Sequence, residues 1–165
     1  MSTSPDHQEM LRANWWSHDG QWFLKAVEAV GVETAMAINE EAIESMGRIE
    51  MRRLHSEMGG EPVIGADDFL PLAVAAQEMI GIPAEGEMDG ENSFTLAVET
   101  CRVWDRTEAA CLTTAAPGCR GSLRRRLGWG TVFFDPHRVV WTREVGRPDG
   151  DPRCRYRFRL RPADE

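Results

Sequence analysis

The sequence has 165 residues and a formal net charge of −8, with 42% hydrophobic and 28% charged residues. This length and balance are typical of one globular domain that folds without a disulfide or a structural metal. No apolar run approaches the roughly 18 residues of a membrane span. The first ten residues have neither the basic nor the apolar stretch of a signal peptide, so we expect a cytoplasmic protein with reduced cysteines.

Charge is distributed unevenly along the chain. Residues 1–91 carry 5 basic and 18 acidic side chains, whereas residues 92–165 carry 14 basic and 9 acidic ones. This asymmetry predicts two differently charged faces on one body. We expect no nucleic-acid partner, because the basic half has no motif of a nucleic-acid-binding module and the net charge opposes phosphate binding.

Helical periodicity dominates the first half. Ser4-Pro5 is a good helix start, so a first helix is predicted over residues 5–30, ending at Gly31. A second apolar stripe predicts a helix over residues 33–58. The short connection between the two favours an antiparallel helical hairpin.

A third helix is predicted to begin at Asp67 or Asp68 and to end at Gly81. Residues 82–92 are rich in turn-forming and acidic residues, which indicates a connection between a helical half (1–81) and a following α/β half (92–165).

After this connection the period changes to that of strands. Residues 94–104 and 138–145 are predicted strands, and residues 107–128 a helix interrupted at Pro117-Gly118. Strict alternation of apolar residues with arginine over residues 154–161 is the clearest strand signal. We therefore predict a single α+β domain over residues 1–165. Its helical hairpin and third helix pack on a small antiparallel sheet in which the last two strands form a hairpin.

The stretch WWSHDGQWF contains the first candidate site. On a helix, Asp19 lies one turn from Trp15 and Trp22, and His18 borders the same patch. Polar groups in an aromatic stripe cost free energy unless they are hydrogen-bonded or bind a ligand. Either neighbouring groups satisfy His18 and Asp19, or both line a ligand pocket. Gly20 in the helix interior predicts the close approach of another group.

The second candidate site lies on the second helix, where Asn39, Glu50 and Arg53 continue its apolar face. Glu50 and Arg53 are three residues apart and can form an ion pair on the helix. The functional alternative is that Arg53 binds a substrate carboxylate.

The cysteines form the third candidate set. Cys101, Cys111, Cys119 and Cys154 contain no CxxC pair, so a zinc knuckle is not indicated. Cys119 is predicted to open a helix beside Arg120, and both features lower a thiol pKa. The alternative is that all four are small buried hydrophobic residues. Motifs for nucleotide, metalloprotease and serine-hydrolase sites are absent, so we expect no nucleotide cofactor.

The residues also resemble known families. Residues 14–54 resemble the N-terminal helices of an uncharacterised prokaryotic family near the L-2-amino-thiazoline-4-carboxylate hydrolase-like proteins. The placement of Cys101 and Cys119, the Asp135-Pro136 step and the closing Cys-x-Tyr-x-Phe are similar in layout. The ending GDPRCRYRF is similar to the tail of 4-vinyl-reductase-type small-ligand domains.

The resemblance implies a small-molecule pocket between helices and sheet, with hydrolysis implied only by the family label. It also leads us to expect a further cysteine in the strand VVWT, where none is present. A zinc or iron site at Cys101, Cys119 and Cys154 would then be incomplete or rearranged.

Two functions remain open. The first is a hydrolase-like enzyme that acts on a C–N bond of a small amino-acid-like or heterocyclic substrate. Cys119 would be its nucleophile or a metal ligand, and His18 its base. Asp19 would orient His18 or share its role, and Arg53 would be the carboxylate clamp. The second is a non-catalytic small-ligand-binding module, with the cysteines as packing residues or a metal site. Substrate-binding residues in either case are Trp15, Trp22, Asn39 and Arg53. We expect no membrane partner, and a homodimer is left open.

Overall fold

The protein has an α+β architecture that combines helices with an antiparallel sheet, as predicted. The structure is a computed structural model that describes residues 5–109 and 119–162, without the side chains of residues 5, 6, 106, 107, 109 and 119. In chain order the elements are α1 (Pro5–Val30), α2 (Val32–Glu57), α3 (Ala66–Met79), β1 (Glu85–Gly90), β2 (Ser93–Val98), α4 (Arg102–Ala109), α5 (Cys119–Gly130), β3 (Val139–Val145) and β4 (Cys154–Leu160). Across the described residues, no helix is long and apolar enough to cross a membrane.

The chain divides into two compact units, residues 1–39 and residues 40–165. The boundary falls inside α2. In the N-terminal unit, α1 covers the predicted span, and Gly31 joins it to α2 with a φ of 81° that favours glycine. Trp16 is buried, and its ring centroid lies 4.8 Å from that of Trp15.

The C-terminal unit contains a four-stranded sheet in the order β1-β2-β4-β3, with antiparallel neighbours throughout. The predicted hairpin of the last two strands is confirmed. In β4, Cys154, Tyr156, Phe158 and Leu160 are buried while the intervening arginines are exposed. Because successive side chains of a strand point to opposite faces, this alternation defines an apolar inner face and a charged outer face.

The stretch 82–92 contains the edge strand β1, so its prediction as a plain connection was wrong. Five of the six β1 residues are exposed and only Met88 is half-buried, so the alternating pattern that reveals a strand is missing. Polar contacts hold it to the sheet. The Asp89 carboxylate accepts hydrogen bonds from the hydroxyls of Ser93 and Thr95, the latter at 2.8 Å, and lies 3.0 Å from Nε of Arg157.

The third helix begins at Ala66, slightly before the predicted aspartates. The Asp68 carboxylate accepts the backbone N–H of Ile64 at 2.9 Å and of Gly65 at 3.1 Å, so it caps the helix from inside the first turn. These two hydrogen bonds lower the pKa of Asp68. The helix ends before Gly81, as predicted, where φ is 74°.

The first predicted strand is shorter than expected and ends at Val98. Cys101 lies beyond it and caps α4, because its carbonyl accepts the Asp105 N–H at 3.0 Å and its thiol accepts backbone N–H groups of Val103 and Trp104. Helix therefore starts at Arg102 instead of near residue 107. The predicted interruption at Pro117-Gly118 lies outside the described residues.

Helices α2 and α5 cross in backbone contact at two glycines. A Cβ on Gly47 would overlap the carbonyl oxygen of Arg125, and one on Gly128 would overlap that of Glu44. The acidic side of α2 thus meets the arginine-rich α5. Ion pairs join Glu40 to Arg120 and Arg124, Glu44 to Arg124, and Glu50 to Arg125. Three acidic side chains of the first half of the sequence are therefore paired with arginines of the second half inside the C-terminal unit.

Candidate functional site

The inner face of the sheet carries a row of large side chains that crosses all four strands. The register aligns Met88 with Phe94, Phe94 with Phe158, and Phe158 with Trp141. Phe94 and Phe158 stack with centroids 4.8 Å apart, and Trp141 lies 5.2 Å from Phe158. Phe69 of α3 covers the row, 5.1 Å from Phe158. We call the side chains of Met88, Phe94, Phe158 and Trp141 the aromatic row. They form an apolar surface beneath α3.

Besides Nε of Arg126, which is described below, two nitrogen donors in the C-terminal unit have no acceptor among the described residues, Nε1 of Trp141 and Nε2 of Gln77. Trp141 belongs to the aromatic row, and Gln77 is 1% exposed on α3. A buried donor without a partner costs about 1–3 kcal/mol, so native structures normally supply one from protein or ordered water. The two donors therefore mark positions where a water or a ligand atom is expected.

Arg126 of α5 lies over Tyr156, two residues along β4 from the aromatic row. Its guanidinium carbon is 3.7 Å from the Tyr156 ring centroid and 5.9 Å from that of Trp129, and the residue is only 3% exposed. It donates to the carbonyl and hydroxyl oxygens of Ser122, the carbonyl at 2.9 Å. Nε has no acceptor within the described ranges, and no described carboxylate forms an ion pair with the guanidinium. Burial lowers the pKa of Arg126.

Two free thiols, Cys101 and Cys154, interact electrostatically with Arg126. Burial raises the pKa of Cys101; the backbone hydrogen bonds that its thiol accepts and the charge of Arg126 oppose this only in part. Cys101 is therefore a protonated thiol at neutral pH and a poor nucleophile. Cys154 is 2% exposed on the inner face of β4.

Arg125, next to Arg126 in the chain, is fully paired by contrast. It donates two hydrogen bonds to the Glu50 carboxylate, at 2.8 and 2.5 Å, and Nε1 of Trp129 lies 3.3 Å from the same carboxylate. The Glu50 and Arg125 side chains are 8% and 10% exposed. This group links α2 to α5 and is structural in character.

The outer face of the sheet contains an open groove of about 680 Å³. Carboxylates of β1 and arginines of β4 line it, over a floor of small residues. Arg157 in its centre is already paired with Asp89 and Glu144. A groove of mixed and partly compensated charge is poorly suited to an apolar ligand.

A comparison with protein families decides where the chain belongs. The model described as "Family of unknown function (DUF6125)" matches residues 7–114, well over half of the chain. The chain belongs to this family. No curated protein matches it. The predicted resemblance to an uncharacterised family is therefore confirmed at that level, and the comparisons give no support to a hydrolase relationship.

Two solved structures of similar fold belong to quite different proteins. One is the phenol-responsive sensory domain of the transcription activator PoxR with phenol, at 14% identity and a TM-score of 0.65, covering 86% of this DUF6125 chain and 72% of that chain. The other is a trafficking protein particle complex subunit 3 from Naegleria fowleri, covalently bound to palmitic acid. It has 13% identity and a TM-score of 0.62, covering 96% of this chain and 98% of that one. At these identities the similarity establishes the fold alone.

The residues predicted around the WWSHDGQWF stretch all lie on α1 in the N-terminal unit of the DUF6125 chain. His18, Trp15 and Trp22 are exposed, and Asp19 is half-buried. Their assignment as catalytic or substrate-binding residues stays a prediction. The expected close approach at Gly20 was wrong, because a Cβ there would meet nothing within 4 Å among the described residues.

The residues of the second predicted site make contacts that differ from the predicted ones. Asn39 is half-buried, and Arg53 is exposed. The predicted pairing of Glu50 with Arg53 was wrong, because Glu50 is buried and its carboxylate is bound by Arg125 and Trp129. The role of Arg53 as a carboxylate clamp stays a prediction.

The three cysteines of the predicted metal set are described to different extents. Cys101 and Cys154 share the neighbourhood of Arg126, and Cys119 is the first residue of α5, with its side chain outside the description. Cys111 also lies outside the described residues. Among the side chains that are described, no group of three potential ligands could hold a metal ion.

Sequence reasoning missed the contact of Arg126 with Tyr156 and the two unpartnered donors of Trp141 and Gln77. One signal was present in the run of three arginines at residues 124–126. Successive residues on a helix point about 100° apart, so three in a row cannot all face solvent when the helix packs on other elements. No comparable signal marked Gln77.

Proposed function

We propose that this DUF6125 member is a non-catalytic module that binds a small, largely apolar molecule in its C-terminal unit. The observation that carries the proposal is the aromatic row together with the indole N–H of Trp141, which has no acceptor among the described residues. Apolar and aromatic walls with a few convergent polar groups are the usual composition of a small-molecule site.

The binding region we propose follows the seam between α3 and α5 above β4. Phe69 of α3 covers Phe158, and Arg126 of α5 covers Tyr156, so the two helices meet over consecutive inward residues of one strand. An aromatic ligand inserted here would stack on Phe158 and accept a hydrogen bond from Trp141 Nε1. The binding of phenol and of palmitic acid by two proteins of similar fold supports this class of ligand.

The test measures binding of phenol and of a medium-chain alcohol to the whole chain by isothermal titration calorimetry and ligand-observed NMR. Trp141→Phe keeps an aromatic ring but removes the donor, so phenol affinity should fall about two- to tenfold, the worth of one hydrogen bond. Trp22→Phe, in the N-terminal unit, is the matched control and should bind like the wild type. Absence of binding by both ligands would refute the proposal.

The hydrolase-like enzyme with Cys119, His18 and Asp19 stays a prediction, and so does the homodimer. Cys119 and the two α1 residues belong to different compact units. A zinc or iron site at Cys101, Cys119 and Cys154 also stays a prediction. The buried guanidinium of Arg126 beside two of these thiols repels a second cation and disfavours such a site. Elemental analysis of the purified protein is the direct measurement.

A further inference from the structure

The C-terminal unit contains a buried cation that forms no ion pair with a described carboxylate. Arg126 is 3% exposed, and the described groups around it are the Tyr156 and Trp129 rings, the oxygens of Ser122, the thiols of Cys101 and Cys154, and the neighbouring Arg125. None of these is a carboxylate. Buried arginines are normally paired with an anion, because removing a charge from water is costly unless it is compensated.

One donor of this guanidinium is unused. Nε of Arg126 has no acceptor among the described residues, whereas the N–H groups of Val103 and Trp104 at the start of α4 are already donated to the Cys101 thiol. The capacity of this region to bind an anion therefore resides in the guanidinium.

We infer that Arg126 binds the carboxylate of a small organic acid whose apolar body lies along the aromatic row. The inference rests on the proposed function and names its ligand class. Guanidinium–carboxylate hydrogen bonds are strong and directional, and Nε is one of the donors that such a pair uses. This inference gives a buried arginine on another helix the kind of role that the sequence predicts for the exposed Arg53.

The register of the sheet sets the length of the ligand. Tyr156 and Phe158 are successive inward residues of β4, so their side chains stand about 7 Å apart along the strand. An acid whose carboxylate pairs with the guanidinium above Tyr156 therefore needs an aromatic or alkyl group two or three methylenes away to reach Phe158 and Trp141. A molecule of the size of 3-phenylpropionate satisfies this distance.

The experiment compares three molecules of one shape, 3-phenylpropionate, 3-phenylpropan-1-ol and 3-phenylpropylamine, by calorimetry on the full chain. The wild type should bind the acid at least about tenfold more tightly than the alcohol, and the amine most weakly. Arg126→Gln should reduce acid affinity to that of the alcohol while alcohol binding is kept, which shows that the site is intact. Arg124→Gln, on the same helix but exposed and paired with Glu40 and Glu44, is the control and should keep the preference.

Equal affinity of the wild type for acid and alcohol would overturn the inference and leave the proposed function standing, and so would a preference that survives Arg126→Gln. Failure of phenol and of all three probes to bind would overturn both. Should Arg126→Gln not fold, the order of acid, alcohol and amine on the wild type still decides, because only a cationic anchor ranks them in this way.

Discussion

The carboxylate of Glu50 on α2 and the guanidinium of Arg125 on α5 form a two-bonded ion pair, at 2.8 and 2.5 Å, from which solvent is almost excluded. The indole N–H of Trp129 adds a third contact to the same carboxylate. The pair lies next to the glycine crossing of the two helices and fixes their contact. The attraction between the two charges contributes less to the free energy of unfolding than the cost of leaving either charge buried without its partner.

Glu50→Ala should therefore lower the free energy of unfolding by about 3–5 kcal/mol, because it leaves the Arg125 charge buried without its partner. Glu44→Ala on the same helix removes a more exposed carboxylate and should cost about 1 kcal/mol or less. Urea unfolding followed by circular dichroism measures both. Equal losses in the two variants would show that burial of the Glu50 pair has no special weight.

Gly128→Ala should lower the free energy of unfolding by about 3 kcal/mol, because the new methyl group would overlap the Glu44 carbonyl oxygen and force the helices apart. The control is Gly20→Ala, at an exposed helix position with open space around it. That change should raise stability by up to about 1 kcal/mol through helix propensity. Thermal unfolding should therefore move in opposite directions for the two variants. A shift in the same direction would contradict the close crossing.

The contribution of Asp89 should depend on pH. Partial burial alone would raise its pKa, but hydrogen bonds from Ser93 and Thr95 and the charge of Arg157 outweigh burial and lower it. A lowered pKa stabilises the fold above the ordinary value of about 3.9 and loses this effect as pH falls below it. Asp89→Asn should thus cost about 1 kcal/mol or less at pH 7 and progressively less below about pH 4.

Glu87→Gln removes the same charge from the same strand, and Glu87 makes no ion pair within the described residues. At pH 7 the free energy of unfolding of Glu87→Gln should lie within about 0.5 kcal/mol of the wild-type value. If the loss of stability in Asp89→Asn does not decrease at acidic pH, the Asp89 carboxylate does not stabilise the fold in the way proposed.

Thiol labelling should separate the cysteines. Cys101 and Cys154 should react slowly with iodoacetamide in folded protein, because burial raises the pKa of Cys101 and Cys154 is almost inaccessible. Cys119, at the start of α5, is predicted to react faster, although Arg120 beside it is committed to Glu40 at 2.6 Å. Peptide mapping by mass spectrometry gives the rates, and labelling in urea supplies the unfolded reference. If Cys119 is the slowest of the three, the nucleophile hypothesis fails.

The elements with strong local signals could be predicted from the sequence. Pro at the start and Gly at the end bounded α1, and strict alternation defined β4. The edge strand β1 was not predicted, because main-chain pairing and the contacts of Asp89 hold it to the sheet and neither produces an apolar pattern in the sequence. Cys101 was placed in a strand because a sulfur that caps a helix has no sequence signature as clear as that of serine or aspartate.

The candidate site depended on contacts between distant parts of the chain. No local sequence pattern indicates that Glu50 binds Arg125, about 75 residues away, instead of Arg53 one turn along the helix. Because Glu50 binds Arg125, that arginine is buried with a partner, whereas Arg126 is buried without a described carboxylate. Tertiary packing decides which of two arginines a carboxylate binds, and the periodicity of a single sequence carries no information about that choice.

The glycine crossing at Gly128 also sets the rotation of α5 about its own axis. Adjacent positions differ by about 100° around a helix, so fixing Gly128 against α2 turns Arg125 towards Glu50 and Arg126 towards Tyr156. One residue inserted between Arg126 and Gly128 would rotate the preceding turns and exchange these environments. Substitutions on the exposed face of α5 should therefore be tolerated far better than any insertion or deletion within it.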